Sequence, residues 1–173
     1  MRRVPLLLMA LAIAGLLPAC ASDPRDGYAF NSAWDDSISA VAVSVFDNTT
    51  FYTGMETDLT EAVIREIQQR TPWRVTSADR ADAVLTGVIT DVDLATISRR
   101  RGTGLVEEQS TRITVDFTWR DNRTGEALAR RQQFAASGAS VSARPTNERP
   151  EVGQREAIAQ LATDIVGELR HAW

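Results

Sequence analysis

Thr111-Arg112-Ile113-Thr114-Val115-Asp116-Phe117-Thr118-Trp119-Arg120-Asp121 alternates large apolar residues with polar ones without a break. Successive side chains of a strand point to opposite sides of a sheet, so this period of two predicts a strand with two unlike faces. Ile113, Val115, Phe117 and Trp119 form a face that must be buried. Arg112, Thr114, Asp116, Thr118 and Arg120 form one that is wet or meets a partner. Downstream, Asn122-Arg123-Thr124-Gly125 has the composition of a hairpin connection, with Gly125 free to take positive φ, and a returning strand is predicted from about Glu126 to Phe134. Upstream, Ala83 to Leu94 is rich in β-branched residues and reads as a long strand, in which Gly87 marks a bulge or a close backbone approach. Ser98 to Gly104, with Arg99, Arg100 and Arg101 beside two glycines, reads as the loop between these strands.

Outside this meander, Ile38 to Phe46 alternates Val41, Val43 and Val45 with small residues and predicts a further strand whose valines face the core. Asp47 to Thr50 then turns the chain away. Thr53-Gly54-Met55-Glu56 has capping-box spacing, and Met55, Leu59, Ala62, Val63 and Ile67 make one apolar helical stripe that ends before Pro72. Trp73 to Ser77 is a short strand candidate. Ala135 to Asn147, loaded with Ser, Ala and Gly, reads as a mobile connection, and Ile158, Leu161, Ala162, Ile165 and Leu169 mark a second amphipathic helix over Glu151 to Arg170. Two helices with one stripe each are buried most simply on the same side of one sheet. The expected class is α+β, a mainly antiparallel sheet of four to five strands with two amphipathic helices on one face.

The chain opens with Arg2 and Arg3, an apolar run from Leu6 to Leu17, and then Leu17-Pro18-Ala19-Cys20. The run is far shorter than the ~20 residues of a membrane span, and the last four residues have the form of a bacterial lipobox. Residues 1–19 are therefore read as a lipoprotein signal peptide, 20–37 as a lipidated tether starting at Cys20, and 38–173 as one domain. Cys20 is the lipidation site, and the thioether-linked lipid is the only prosthetic group expected. Ala21 and Ser22 follow it, without the aspartate that marks inner-membrane retention in enteric bacteria, which favours the outer membrane. All 19 basic residues are arginine against 23 acidic ones, for a formal net charge of −4. Such acidity argues against a nucleic-acid partner. Cys20 being the one cysteine, packing must hold the fold without a disulfide.

In this order the segments resemble the LptE-like lipopolysaccharide-assembly lipoproteins. The likeness runs through the lipobox and Gly27-Tyr28-Ala29-Phe30, the strand Val41 to Asn48, Leu59-Thr60-Glu61-Ala62, Arg70 to Val75, Ala81 to Gly87, Arg123 to Glu126 and the C-terminal helix. It implies a lipid-anchored protein of the cell outer membrane. Its domain would sit on the periplasmic side of, or within the lumen of, an LptD-like β-barrel translocon and help that barrel to receive lipopolysaccharide. In the family Gly-Tyr normally follows the lipidated cysteine almost directly, whereas here Ala21 to Asp26 intervene. The family's lipopolysaccharide-contacting basic residues match no motif in this chain.

No enzyme constellation is visible, and none is expected. His171 is the only histidine, Cys20 is committed to lipid, and Asp91 with Asp93 share a strand face with nothing beside them to supply a second catalytic role. Arg99, Arg100 and Arg101 have two readings: a solvated hairpin tip that discourages edge pairing, or a basic site for lipid A phosphates or acidic barrel loops. The face of Arg112, Thr114, Asp116, Thr118 and Arg120 likewise either meets solvent or complements a polar barrel interior. A Tol-like or curli-secretion-like α/β adaptor of the envelope is the alternative to the assembly role.

Overall fold

The computed structural model describes residue 34, residues 37–141 and residues 149–170, all within the compact unit that begins at Ala33. The lipobox, Cys20, the Gly27–Phe30 patch and His171 lie outside them. The described elements run β1 (Ala40–Val43), β2 (Asp47–Asn48), α1 (Met55–Arg70), β3 (Arg74–Val75), a 3-10 turn (Ala78–Arg80), β4 (Ala83–Arg99), β5 (Val106–Asp121), β6 (Ala127–Val141) and α2 (Pro150–Arg170).

The strands form one six-stranded sheet in the order β3-β1-β4-β5-β6, with β2 beside β4. It is mixed, not mainly antiparallel with four to five strands. β1 pairs in parallel with both β3 and β4, and β2 is parallel to β4, whereas β4, β5 and β6 form the antiparallel meander. The parallel pairs follow from the connection: a strand that feeds a covering helix and returns to the same sheet re-enters in its original direction.

β5 behaves as its alternation requires. Ile113, Val115, Phe117 and Trp119 are buried against Leu59, Val63 and Ile67 of α1 and Leu161, Ile165 and Leu169 of α2, in one cluster that puts both helices on one sheet face. Trp73 stacks on Trp119 at 5.6 Å between ring centres, and Trp34, which the sequence reading left in the tether, meets Trp73 edge-on at 4.8 Å.

The valine face of the first strand is where expectation and structure part. Val41 is buried, but Val45 is 67% exposed. The five residues from Val43 to Asp47 oppose four on β4, Leu85 to Val88, a bulge that swings Phe46 inward. Phe46 is 1% exposed, its N–H bonds Thr60 Oγ1 at 3.0 Å, and its ring lies where a Cβ on Gly87 would be. Gly87 is thus the close approach that its place in a strand announced. Asp47–Asn48 form β2 and do not turn away. At α1, Glu56 bonds the Gly54 N–H as a capping box would, at 3.1 Å, but Thr53 contributes no cap and Gly54 is the N-cap residue.

The expected mobile segment is the largest correction over its described part, its remaining residues, 142–147, lying outside the described ones. Ala135 to Val141 continue β6 as a regular ladder with β5. Their small side chains let α2 approach: Gly138 and Gly153 lie backbone to backbone, and a Cβ on Gly138 would fall on the Gly153 carbonyl and 2.5 Å from Ala157 N. Glu156 of α2 accepts the outward N–H of Ala139 at 2.9 Å, so the helix also satisfies part of the β6 edge.

Candidate functional site

Among the described residues, the face of the sheet opposite the helices is covered only at one end, where Ala42, Ala81 and Val84 form a small second cluster beneath the 3-10 turn. Asp82 locks this end. Its carboxylate accepts the Ser39 and Ala40 N–H groups and the Ser39 hydroxyl, each at 3.0 Å, and those bonds hold its pKa below the ordinary carboxylate value. Asn122 donates to the carbonyls of Ala78 and Ala81, which fixes the turn against the β5–β6 connection.

Above this the face is open. All five polar β5 residues line it: Arg112 and Arg120 are exposed, and Thr114, Asp116 and Thr118 are partly so. The ladders add neighbours that the sequence did not identify. Thr118 stands between Thr86 and Arg130, Thr114 between Asp91 and Ala135, and Arg112 between Asp93 and Ser137. The rows alternate Thr, Asp, Arg, Ser and Ala, a surface rich in hydrogen-bonding groups of both signs. A shallow groove of about 280 Å³ lies across it, bordered by Asp47, Thr86, Asp116, Thr118 and Arg130.

Asp116 also has a structural task. β6 carries an extra residue opposite it, with Gln133 at φ 52°, and the Asp116 carboxylate accepts the Gln133 N–H at 2.8 Å. That bond satisfies the donor a left-handed bulge residue would otherwise leave free.

The three tip arginines are not equivalent. β4 extends to Arg99, so only Arg100 and Arg101 lie in the turn, with Gly102 at φ 91° and Gly104 at φ 69°. Arg100 Nε bonds Glu107 Oε1 at 2.8 Å and Arg99 Nη1 bonds the Gly104 carbonyl at 3.3 Å. Arg101 has no partner among the described residues. The tip also presents Leu105, 62% exposed, and Ile97, 55% exposed. It therefore combines guanidinium groups with aliphatic ones. Thr114 is eight residues along β5 from Val106, the partner of Arg99, or roughly 25 Å at 3.3 Å per residue, so the tip and the open face are separate surfaces.

Among the described residues no group of His, Cys, Asp and Glu is arranged to hold a metal ion, and no helix is long and apolar enough to cross a membrane.

The profile of the lipopolysaccharide-assembly family LptE matches residues 38–170, which takes in every strand and both helices just described. The chain belongs to the LptE family. No curated protein matches it significantly. Two solved structures repeat the fold at low identity, and a third is similar below that level. A hypothetical protein from Chlamydia trachomatis aligns over 78% of this chain and 96% of its own, with TM-score 0.53 at 9% identity. A protein from Xanthomonas campestris aligns over 82% and 90%, with TM-score 0.53 at 14% identity. A minor lipoprotein from Acinetobacter baumannii aligns over 76% and 92%, with TM-score 0.48 at 15% identity.

Proposed function

We propose that this member of the LptE family is a lipoprotein of the outer membrane, lipidated at Cys20, that partners an LptD-like β-barrel translocon in lipopolysaccharide assembly. The observation that carries this reading is the helix-free sheet face. A domain that buries both apolar helical stripes on one side leaves Arg112, Thr114, Asp116, Thr118 and Arg120 displayed on the other, and a barrel lumen is polar and pairs with such groups. The tip supplies a second contact. Arg99, Arg100 and Arg101 offer charge-assisted hydrogen bonds to the phosphates of lipid A, with Ile97 and Leu105 beside them for its acyl chains. Lipid on Cys20 holds the domain at the membrane, each buried CH₂ adding roughly 0.8 kcal/mol.

Photo-crosslinkers at Thr114 and Thr118 test the face in intact cells, with Asp58 on the outer side of α1 for comparison. Capture of a β-barrel protein from Thr114 and Thr118 is the expected result. Capture of nothing from either position, by a chain that remains folded, overturns this use of the face.

A further inference from the structure

Between Ala83 and Ile89 β4 has β1 or β2 on one side and β5 on the other, but from Asp91 to Arg99 only β5 flanks it among the described residues. The outer lane is closed at Ile89, whose carbonyl accepts both the Thr49 N–H and the Thr49 hydroxyl, each at 3.0 Å. Ile89 thus turns its backbone groups toward that lane. The bulge between Ile89 and Asp91 shifts the alternation by one residue, so Val92, Leu94 and Thr96 point their N–H and C=O groups outward. The ladder from Asp91 to Thr96 is regular, and these groups stand at the spacing that an added strand needs.

Such an edge invites pairing, and proteins cover it, blunt it or use it to bind an extended segment. β6 is covered in part, since Glu156 of α2 accepts the outward N–H of Ala139. The vacant stretch of β4 has definite ends. Thr49 and β2 block it at Ile89, and register shifts on either side of Ser98 break it past Thr96. A second copy of β4 does not fit: matched two-fold about Leu94, its Ser98 and Arg99 would fall on Thr90 and Ile89, where Thr49 already stands. The lane takes a short extended segment instead.

The side chains along the lane say what that segment carries. Asp91 and Asp93 stand on the helix-free side, as does Asp47 of β2, which borders the groove there. All three are exposed, and none forms an ion pair among the described residues. Arg112 opposes Asp93 from β5, but no cation does so from the lane. On the helix side, Val92 is half-buried and Leu94 is 45% exposed. Opposed residues of neighbouring strands share a side, so the complementary segment alternates basic residues, beside Asp91 and Asp93, with apolar ones beside Val92 and Leu94. Where the lane begins, Asn48 Nδ2 donates to the Tyr52 carbonyl at 2.7 Å and to Glu56 Oε2 at 2.8 Å, and the loop so held presents a wholly exposed Phe51 and a half-exposed Tyr52. These rings add apolar surface at the foot of the lane.

We propose that the β4 edge from Val92 to Thr96 receives an extended segment of the β-barrel partner as an added strand, one in which apolar and basic residues alternate. The identity of that partner rests on the proposed function. The wall strands of a closed barrel have their backbone groups paired already, so the segment comes from one of the partner's loops or termini.

The test uses the full lipidated chain in intact cells, with photo-crosslinkers placed singly at Thr96, on the helix side of the edge, and at Thr114 and Thr118 on the open face. Mass spectrometry of the captured peptide identifies what Thr96 touches. The expected peptide is a loop or terminal stretch of the barrel protein with basic and apolar residues in alternation. Leu94→Pro removes an outward donor and no bond to β5, so it should abolish capture from Thr96 while capture from Thr114 and Thr118 persists. Asp91→Arg combined with Asp93→Arg should abolish it too, by setting like charges against the segment. Capture from Thr114 and Thr118 but not from Thr96 overturns the edge and leaves the proposed function standing; capture from none of the three overturns both. The edge is also overturned if Thr96 captures a wall strand, a second copy of this chain or a protein other than the barrel, or if either variant, still folded, leaves its capture unchanged.

Discussion

Replacing Gly138 by alanine should be among the most damaging single-methyl changes available in this domain, and the same change at Gly153, its contact partner, should be nearly silent. At Gly138 the new Cβ falls on the Gly153 carbonyl oxygen, 2.5 Å from Ala157 N and 2.8 Å from Glu156 Cβ. The first two obstacles are backbone, so no side-chain rotation relieves them. The start of α2 has to lift from β6 by about 1 Å, and overpacking of this kind costs about 1–3 kcal/mol. Lifting also loosens the bond from Ala139 N–H to Glu156, a loss of about 1 kcal/mol. Together these give about 2–4 kcal/mol, a large part of the 5–15 kcal/mol that holds a typical domain folded. That corresponds to about 4–16 °C in the thermal midpoint for a domain of this size. At Gly153 the new Cβ meets Gly138 O at 3.1 Å, Ala139 C at 3.2 Å and Ser140 N at 3.3 Å, backbone contacts that ask β6 to give by a few tenths of an ångström where Gly138 asks for far more. Alanine there also gains up to about 1 kcal/mol of helix propensity, so the net change should stay within about 1 kcal/mol. Urea denaturation followed by tryptophan fluorescence reads both variants, since Trp73 and Trp119 stack in the core. Equal midpoints for the two variants would refute the asymmetric contact from which the argument starts.

Phe46→Ala should cost about 3–5 kcal/mol, and Gly87→Ala, harmful alone because its methyl overlaps the Phe46 ring, should be far better tolerated in the Phe46→Ala background; a double-mutant cycle measures that coupling. Asp82, Asp121 and Glu56 all have pKa values lowered by the hydrogen bonds they accept, so the stability they lend is present above about pH 4 and is lost as pH falls through their folded values. The thermal midpoint should accordingly hold from neutrality to about pH 5 and drop below pH 4, and Asp82→Asn should shrink that drop. Changing Arg99, Arg100 and Arg101 together to serine should weaken lipopolysaccharide binding in a salt-dependent way while altering stability by less than about 1 kcal/mol, because the Arg100–Glu107 pair is exposed; binding that is unchanged at low and moderate salt would make the tip merely solvated. Cys20→Ser should leave an unprocessed precursor, and metabolic acyl labelling of that variant at the native level would remove Cys20 as the lipid site.

What could be read from the sequence depended on how local its cause was. The β5 alternation and the two helical stripes state their buried faces residue by residue, and those residues are the core. The polar row of β5 was legible for the same reason. Its neighbours Thr86, Asp91, Asp93 and Arg130 were not, because strand register depends on bulges at Thr90 and near Gln133 that leave little trace in composition. The same limit hid the bond from Asp116 to Gln133. Ala135 to Gly138 looked like a loop because small residues have weak strand preference. Their size is set by a helix that follows them in the chain, and that contact outweighs the local preference. The parallel pairing of β1 was in principle available from the strand-helix-strand succession, which forces it.

That parallel pairing also makes the order of assembly uneven. β4, β5 and β6 are joined by tight turns and can zip together from neighbouring residues, whereas β1 must wait for partners roughly thirty and forty residues further along the chain. The meander can therefore form while the side of β4 that receives β1 and β2 is still bare, with Val84, Leu85 and Ile89 not yet shielded by them. Closure by β1 and α1 ends that stage. The first strand made thus has the most distant partners to find, and until it finds them the apolar residues of β4 are open to other chains.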